Sequence, residues 1–394
     1  MKILVVCQYY FPEPFRISDI CEALVEEGHE VTVVTGVPNY PEGKIYQEYI
    51  RGRKRHEVIN GVKVHRCFTI GRRRGPIFRF LNYYSYSISS SLHTSFLNEK
   101  FDIVLVNQLS PVMMASAAIR YKNKHKTKLV LYCLDLWPES LVIGGIKRNS
   151  ILYRLFRRVS RKIYGKADRI LVSSQSFARY FRDEFGIEDT LYLPQYAEKI
   201  FEADKCKKTP DGKIDLMFAG NVGLAQSVET VLYAAQRTKD VENLRWHVVG
   251  DGSEMPRMQE IKQKLGLSNV IFHGRQPLER MPAYYSKADA MIVTMGKDET
   301  ISLTLPGKMQ TYMAAGKPIL GAVDGEAASV IKESGCGLCC AAEDAEGLAN
   351  IARCFVAESE KHQFGASALQ YYKKMFSKEE VLQKMMDILE REVK

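Results

Sequence analysis

Four short stretches in the second half of the chain carry residues suited to holding a phosphate. AGNVG at 219–223, VGDG at 249–252 and HGR at 273–275 each place glycine after an apolar run, and TLPGKMQTYMAAGKP at 304–318 places Lys308 just inside a helix start. Glycine lets a backbone amide approach a ligand closely because no Cβ intervenes, and a helix N-terminus aims its positive end at an anion. Gly220, Gly223, Gly250, Gly252 and Gly274 are the backbone candidates, with Asn221 and Gln226 beside them. Leu305, Pro306 and Gly307 form the turn into Lys308, and Lys308 and Arg275 supply positive charge. Such a set would stabilise negative charge on a diphosphate held there. Each loop taken singly also reads as a plain tight turn, and Lys308 as a solvated surface lysine. Three glycine loops in successive units favour the nucleotide site.

In the first half, LDLWPES at 134–140 sets Asp135 after an apolar run and before Trp137-Pro138. It reads either as a carboxylate offered to a ligand at a strand end, or as a cap on the next turn. Glu139 shares that loop. Glu13 and Arg16 follow the first apolar run, and Arg16 is a candidate for a phosphate. GxGxxG is missing after that run, where the chain has Gln8, Tyr9, Tyr10, Phe11 and Pro12, and GxxxxGK[ST] is absent. A nicotinamide dehydrogenase and a P-loop enzyme are thereby disfavoured. The cysteines of GCGLCC at 335–340 have no second Cys or His cluster to complete a tetrahedral set, so no metal is expected. They read as small buried thiols in a reducing compartment.

These residues need elements to position them. At 394 residues the chain is long enough for two domains. Lys2–Gln8 is a β-branched strand, Arg16–Glu27 repeats apolar residues at helical spacing (Ile17, Ile20, Leu24, Val25), and HEVTVVTG follows Gly28 as a second strand. Strand, helix and strand in this order make a βαβ unit with a parallel sheet. Further strands are expected at 62–67, 102–107, 128–133 and 169–173, with a helix over 112–122. A polar, Pro/Gly-punctuated stretch at 196–212 reads as a linker. The alternation restarts at IDLMFAG, with a helix over 227–236, then WHVVG, NVIFHG, ADAMIVTM and PILGAV as strands. The expected division is 1–195, a linker at 196–212, 213–375, and a last helix over 376–394 that crosses back. In an open parallel sheet, ligands lie beyond the carboxyl ends of the strands. Two such α/β domains facing across a cleft would bring two sets of loops together.

The net charge of +10 asks for an anionic partner. RGRKR at 51–55, RRR at 72–74 and nine bases between Lys147 and Arg169 hold much of it. The stretch 72–97 mixes arginine with Phe78, Phe80, Leu81, Tyr83, Tyr84 and Tyr86, and 147–166 sets Ile151, Leu152, Leu155, Phe156 and Val159 opposite Arg154, Arg157, Arg158 and Arg161. Both suit an anionic membrane surface. Both also read as amphipathic helices packed on the sheet with a solvated basic side. No apolar run is long enough to span a bilayer and no secretory signal is visible, so a cytoplasmic protein, peripheral on the inner face of the membrane, is expected. No nucleic-acid-binding motif accompanies the charge, so nucleic acid is not an expected partner.

AGNVGLAQSVETVL, VVGDGSE, VIFHGRQP, YYSKADAMIV and LPGKMQTYMAAGKP, taken with LDLWPES, resemble the bacterial retaining glycosyltransferases of family 4, nearest the fucosamine transferases of O-antigen and capsule synthesis. The resemblance runs through nearly the whole chain. It implies the GT-B fold, two Rossmann-like domains with the nucleotide-sugar mainly on the second and the acceptor mainly on the first. It implies a UDP-sugar donor, with an N-acetylated deoxyhexosamine among the candidates, a polyprenyl-diphosphate-linked saccharide acceptor, and no metal. By the same resemblance Gly220–Gly223 lies by the donor diphosphate, His273–Arg275 borders the base, Leu305–Lys308 lies under sugar and phosphates, and Asp135 is the first-domain residue near the sugar. The chain departs from the pattern where the wider family has two glutamates eight residues apart: Leu303 and Thr311 stand there. Asn221 and Gln226 occupy the loop that holds the family's basic pair. A sugar-nucleotide epimerase of the same architecture and a non-catalytic carbohydrate- or nucleic-acid-binding protein are the other readings.

Overall fold

The computed structural model describes residues 1–73, 75–208 and 211–394. Arg74 of the expected basic cluster and residues 209–210 of the expected linker lie outside them. The chain divides into two compact units, Met1–Leu193 with Leu382–Lys394, and Pro194–Val381.

The first unit is built on strands β1 (Lys2–Val6), β2 (Glu30–Gly36), β3 (His56–Ile59), β4 (Val62–Cys67), β5 (Ile103–Gln108), β6 (Lys128–Cys133), β7 (Arg169–Val172) and β8 (Thr190–Tyr192). Their order across the sheet is β3-β4-β2-β1-β5-β6-β7-β8, parallel throughout except for the β3–β4 hairpin. The centre is registered Leu4 against Thr32 on one side and Val104 on the other. Helices cover both faces of a parallel sheet, which is why β1 and β5 carry the apolar runs Ile3–Val6 and Ile103–Val106 and β5 is buried at every position. Burying each such Val, Ile or Leu contributes about 1.5–3 kcal/mol. From β1 the chain moves outward to β2 and then β4, and returns to pair β5 on the opposite side of β1. The strand order therefore reverses between β1 and β5, the place where an open α/β sheet leaves a crevice beyond its carboxyl ends.

The second unit repeats the plan with β9 (Ile214–Ala219), β10 (Leu244–Val249), β11 (Val270–Gly274), β12 (Ala290–Thr294), β13 (Ile319–Ala322) and β14 (Gly337–Cys340), ordered β11-β10-β9-β12-β13-β14 and all parallel. Its reversal falls between β9 and β12. Trp246, fully buried in the core, satisfies its indole N–H on Thr238 Oγ1 at 3.1 Å. The last helix, Lys378–Val393, starts in this unit and ends in the first, where Glu392 accepts from Arg169 Nε at 2.7 Å.

Several elements differ from the sequence reading. Gln226 ends a one-turn 3₁₀ segment, Ser227 is left-handed (φ 42°), and the helix expected at 227 begins at Glu229. Helices at Gly325–Ser334 and Lys361–Met375 were not foreseen. The polar stretch before β9 is packed: Phe201 is buried and stacks on Tyr285 at 4.9 Å, and Cys206 is buried as well. On the helix Ile151–Tyr164 the inward face is Tyr153, Phe156, Ser160 and Ile163. Of the stripe read as its apolar side, Phe156 turns inward as expected and Val159 is half-buried, whereas Ile151 (85%), Leu152 and Leu155 (52%) face solvent. The aromatics of helix Pro76–Phe96 split the other way. Phe78, Phe80 and Leu81 are exposed, whereas Tyr86 is wholly buried and donates to a backbone oxygen, Cys7 O lying at 2.8 Å and Val34 O at 3.0 Å.

Candidate functional site

At the β9/β12 reversal two loops are built backbone on backbone. Gly220 N donates to Val249 O at 2.9 Å and Val222 N to Asp251 O at 3.0 Å, while Gly250 N donates to Gly274 O at 2.9 Å. A methyl on Gly250 would lie 1.8 Å from Gly220 O, and one on Gly252 would lie 2.2 Å from Val222 O. These two glycines permit loop–loop contact, and Gly220 and Gly250 also hold positive φ (148° and 138°). The amides of Gly220, Val222 and Gly250 are thus committed inside the fold. Those of Asn221 and Gly223 have no partner among the described residues. Asn221 and Gln226 meet across the turn, Nδ2 to Oε1 at 3.4 Å, over Gly223, where a methyl would strike Asn221 Nδ2 at 2.6 Å. β12 holds the turn from beneath: Thr294 Oγ1 donates to Gln226 O at 2.6 Å and Gly296 N to Ala225 O at 2.9 Å.

Lys308 enters this place from the helix Lys308–Ala314. The helix is fixed by Tyr312, whose hydroxyl donates to Ala219 O at 2.7 Å and accepts from Ala219 N at 3.0 Å. Gln310 secures the preceding turn, its amide nitrogen donating to Gly307 O at 3.1 Å and Pro306 O at 3.2 Å, and Leu305 is buried below. The Lys308 amine sits 3.8 Å from the centroid of the Phe218 ring and would be 3.1 Å from a methyl on Gly220. It is buried and has no hydrogen-bond partner among the described residues. Burial holds its pKa down to about 7. An ammonium withdrawn from water with only a ring face for company is costly, and an anion placed against it removes that cost. The solvated surface lysine is therefore the wrong description of Lys308.

The remaining candidates are placed less closely. Gly274 (φ 65°) ends β11 and is exposed, as is Arg275. Thr311, at one of the two departures, turns its hydroxyl back to Gly307 O at 3.2 Å. Asp135 lies in the first unit and caps no helix: its Oδ2 accepts from Ser110 N at 3.1 Å, joining the loops after β5 and β6. Burial raises its pKa, against the opposing pull of Ser110 and Arg72. Glu139 is buried under Tyr180 (2.9 Å), Tyr153 and Arg148 (3.0 Å) and ties three helical segments together. Glu13 is likewise internal, its Oε1 taking the amides of Asn39 and Tyr40 at 2.8 Å each. Sequence reasoning missed Phe218, Tyr312 as a pin, and Arg72, which it counted only as part of a basic run. Nothing in the order of residues says that these side chains turn toward strand ends.

Comparison with known proteins agrees with this plan. The family description "Glycosyl transferases group 1" matches residues 200–370, and "Glycosyl transferase 4-like domain" matches residues 15–194. The chain is 25% identical over 336 residues to the putative colanic acid biosynthesis glycosyl transferase WcaI of Escherichia coli K12, covering 80% of this chain and 82% of that one. Among solved structures it is similar to sucrose-phosphate synthase from Thermosynechococcus elongatus (TM-score 0.77, 15% identity, 99% of this chain and 98% of that one). It is also similar to Anabaena Alr3699/HepE, solved in complex with UDP (TM-score 0.73, 14% identity, 99% and 100%). With one family description on each unit and a fold shared with these structures along 99% of the chain, the chain is a glycosyltransferase of the GT-B fold, related to bacterial enzymes of polysaccharide synthesis.

Proposed function

We propose that this enzyme transfers a sugar from a UDP-sugar, with retention at the anomeric carbon, to a lipid-linked saccharide during synthesis of an O-antigen, capsule or related polysaccharide. The observation that carries the reading is the Lys308 amine, buried and without a hydrogen-bond partner at the strand reversal beside Gly220. As the glycosidic bond to the diphosphate breaks, charge builds on the leaving phosphate, and a cation already desolvated there gains most in the transition state. The free amides of Asn221 and Gly223 add donors. Retention without a covalent intermediate sets the acceptor hydroxyl on the face of the leaving group, whose phosphate takes the hydroxyl's proton, and Asp135 orients the sugar or the acceptor. UDP as the nucleotide is supported by the complex of HepE, and polysaccharide synthesis by the name of WcaI. A donor in the fucosamine class rests on the sequence resemblance.

The test is a mass-spectrometric screen of nucleotide-sugars incubated with the enzyme and bacterial membrane lipid extract. We expect release of UDP together with a lipid product heavier by one sugar. Donor consumed equally without acceptor would move the enzyme to the epimerase or hydrolase reading.

The reading places the first unit against the inner face of the cell membrane. Ile151, Leu152 and Leu155 project beside Arg154 and Arg158, and Ile77, Phe78, Phe80 and Leu81 project from the helix 76–96. Both helices pack on the segment 112–115, which sets the two patches on neighbouring elements. No helix among the described residues is long and apolar enough to cross a membrane. Each base near an anionic surface contributes about 1 kcal/mol. Leu152→Asp with Leu155→Asp should abolish co-flotation with phosphatidylglycerol vesicles and leave UDP binding intact. Flotation equal to that of the unaltered protein would remove this surface from the proposal.

A further inference from the structure

In the first unit a second polar cluster stands at the β1/β5 reversal. Its members come from loops after neighbouring strands: Tyr9 after β1, Tyr40 after β2, Arg72 after β4, Ser110 after β5 and Asp135 after β6. The Arg72 backbone is fixed, its N–H donating to Asn39 Oδ1 at 3.0 Å and its carbonyl packed where a methyl on Gly43 would come within 2.3 Å. The guanidinium stands by the Tyr9 phenol, whose charged form it favours, and lies over the Tyr83 ring, 5.6 Å from its centroid. Tyr9 in turn stacks on Phe15 at 4.9 Å, with Tyr40 tilted 6.0 Å away. Among the described residues no carboxylate forms an ion pair with Arg72. Asp135 acts on it only at longer range, and burial favours the neutral form of that carboxyl. Burial pulls the pKa of Arg72 down, and the surrounding phenols of Tyr9, Tyr83 and Tyr40 outweigh it. A guanidinium has five N–H donors in a planar fork, and the protein leaves this one without a carboxylate to fill it.

We propose that Arg72, framed by Tyr9 and Tyr83, binds a phosphate of the acceptor's lipid diphosphate. The inference rests on the glycosyl-transfer reading and adds to it the acceptor group that the first unit recognises. Arg72 is a binding residue whose forked N–H donors meet phosphate oxygens in a bidentate pair. Tyr9 beside it is held between Phe15 and Asn82, and the Tyr83 ring lies under the guanidinium. The exposed apolar and basic helices of the same unit suit a ligand whose tail lies in a membrane.

The experiment titrates the full-length protein, saturated with UDP, with farnesyl diphosphate and separately with farnesol. Saturation with UDP keeps the diphosphate probe from the Lys308 site. We expect the diphosphate to bind about tenfold or more tightly than the alcohol, since charge-assisted forked bonds to phosphate are the strong ones. Arg72→Gln should erase that difference, and Arg72→Lys should restore part of it by charge without the fork. UDP affinity should be unchanged in both, which also reports that the variants fold. Diphosphate binding that survives Arg72→Gln, or a wild type that does not discriminate diphosphate from alcohol, would overturn the proposal. A wild type that fails to bind UDP would instead strike the donor reading and leave this comparison, run without UDP on Lys308→Met, to decide for Arg72.

Discussion

Lys308→Met is expected to stabilise the ligand-free protein while reducing turnover by about 10²–10³, the usual consequence of removing one preorganised group from a developing negative charge. The two effects have one cause. The amine is buried against Phe218 with no hydrogen-bond partner, so the fold carries the cost of desolvating it. A buried unsatisfied polar group costs about 1–3 kcal/mol, part of which the ring face offsets at 3.8 Å. Methionine has similar length and no charge, and should raise the melting midpoint by a few degrees. Thermal melts and steady-state kinetics on the same preparation check both halves. A variant with full turnover and unchanged donor KM would mean that Lys308 does not face the phosphates. The pH dependence follows from the same burial. With a folded pKa near 7, against about 10.5 for an ordinary lysine, the folded protein binds fewer protons than the unfolded chain between those values. Stability from this group therefore rises as pH increases through that window and is lowest below 7. A bound diphosphate favours the charged amine, so UDP binding at pH 8 should take up protons, and Lys308→Met should abolish the uptake. Calorimetry in buffers of different ionisation enthalpy measures it.

Gly250→Ala should be the most damaging single methyl in the second unit. The added carbon would lie 1.8 Å from Gly220 O, at a φ of 138° that alanine rarely adopts. Strain of roughly 1–3 kcal/mol from the backbone and a similar amount from overpacking give a loss of about 3–5 kcal/mol. The neighbouring atom is a carbonyl of β9's own loop and cannot step aside without moving Gly220, and Gly220 lies against Lys308. We therefore expect a folded fraction that depends on added UDP, together with loss of activity beyond that explained by the melting shift. Denaturant unfolding with and without UDP separates the two. An alanine variant with unchanged midpoint would show that these loops do not touch as described.

Gly250 also shows where sequence and structure divide. The glycine after the strand was legible, because an apolar run followed by VGDG can hardly be read otherwise. Its purpose was not: the residue that requires it is Gly220, thirty positions earlier, brought close by the β9–β10 pairing. The same holds for helix 151–164. Periodicity shows a stripe of apolar residues and a stripe of arginines, yet which stripe faces the sheet depends on how Tyr153, Phe156 and Ile163 fit against neighbouring elements. Alternation of strand and helix, the two-unit plan and the ligand-bearing loops are local properties, set by residue type and spacing along the chain, and they could be read directly. Whether a charged side chain ends in water or under a ring is set by packing between distant segments. Lys308 meets Phe218, and Arg72 meets Tyr9, only after parallel strands align their carboxyl ends. The chain order therefore decided the architecture and the loops, and the tertiary structure decided which cations those loops hold away from solvent, because desolvation is a property of the whole enclosure and not of any one residue.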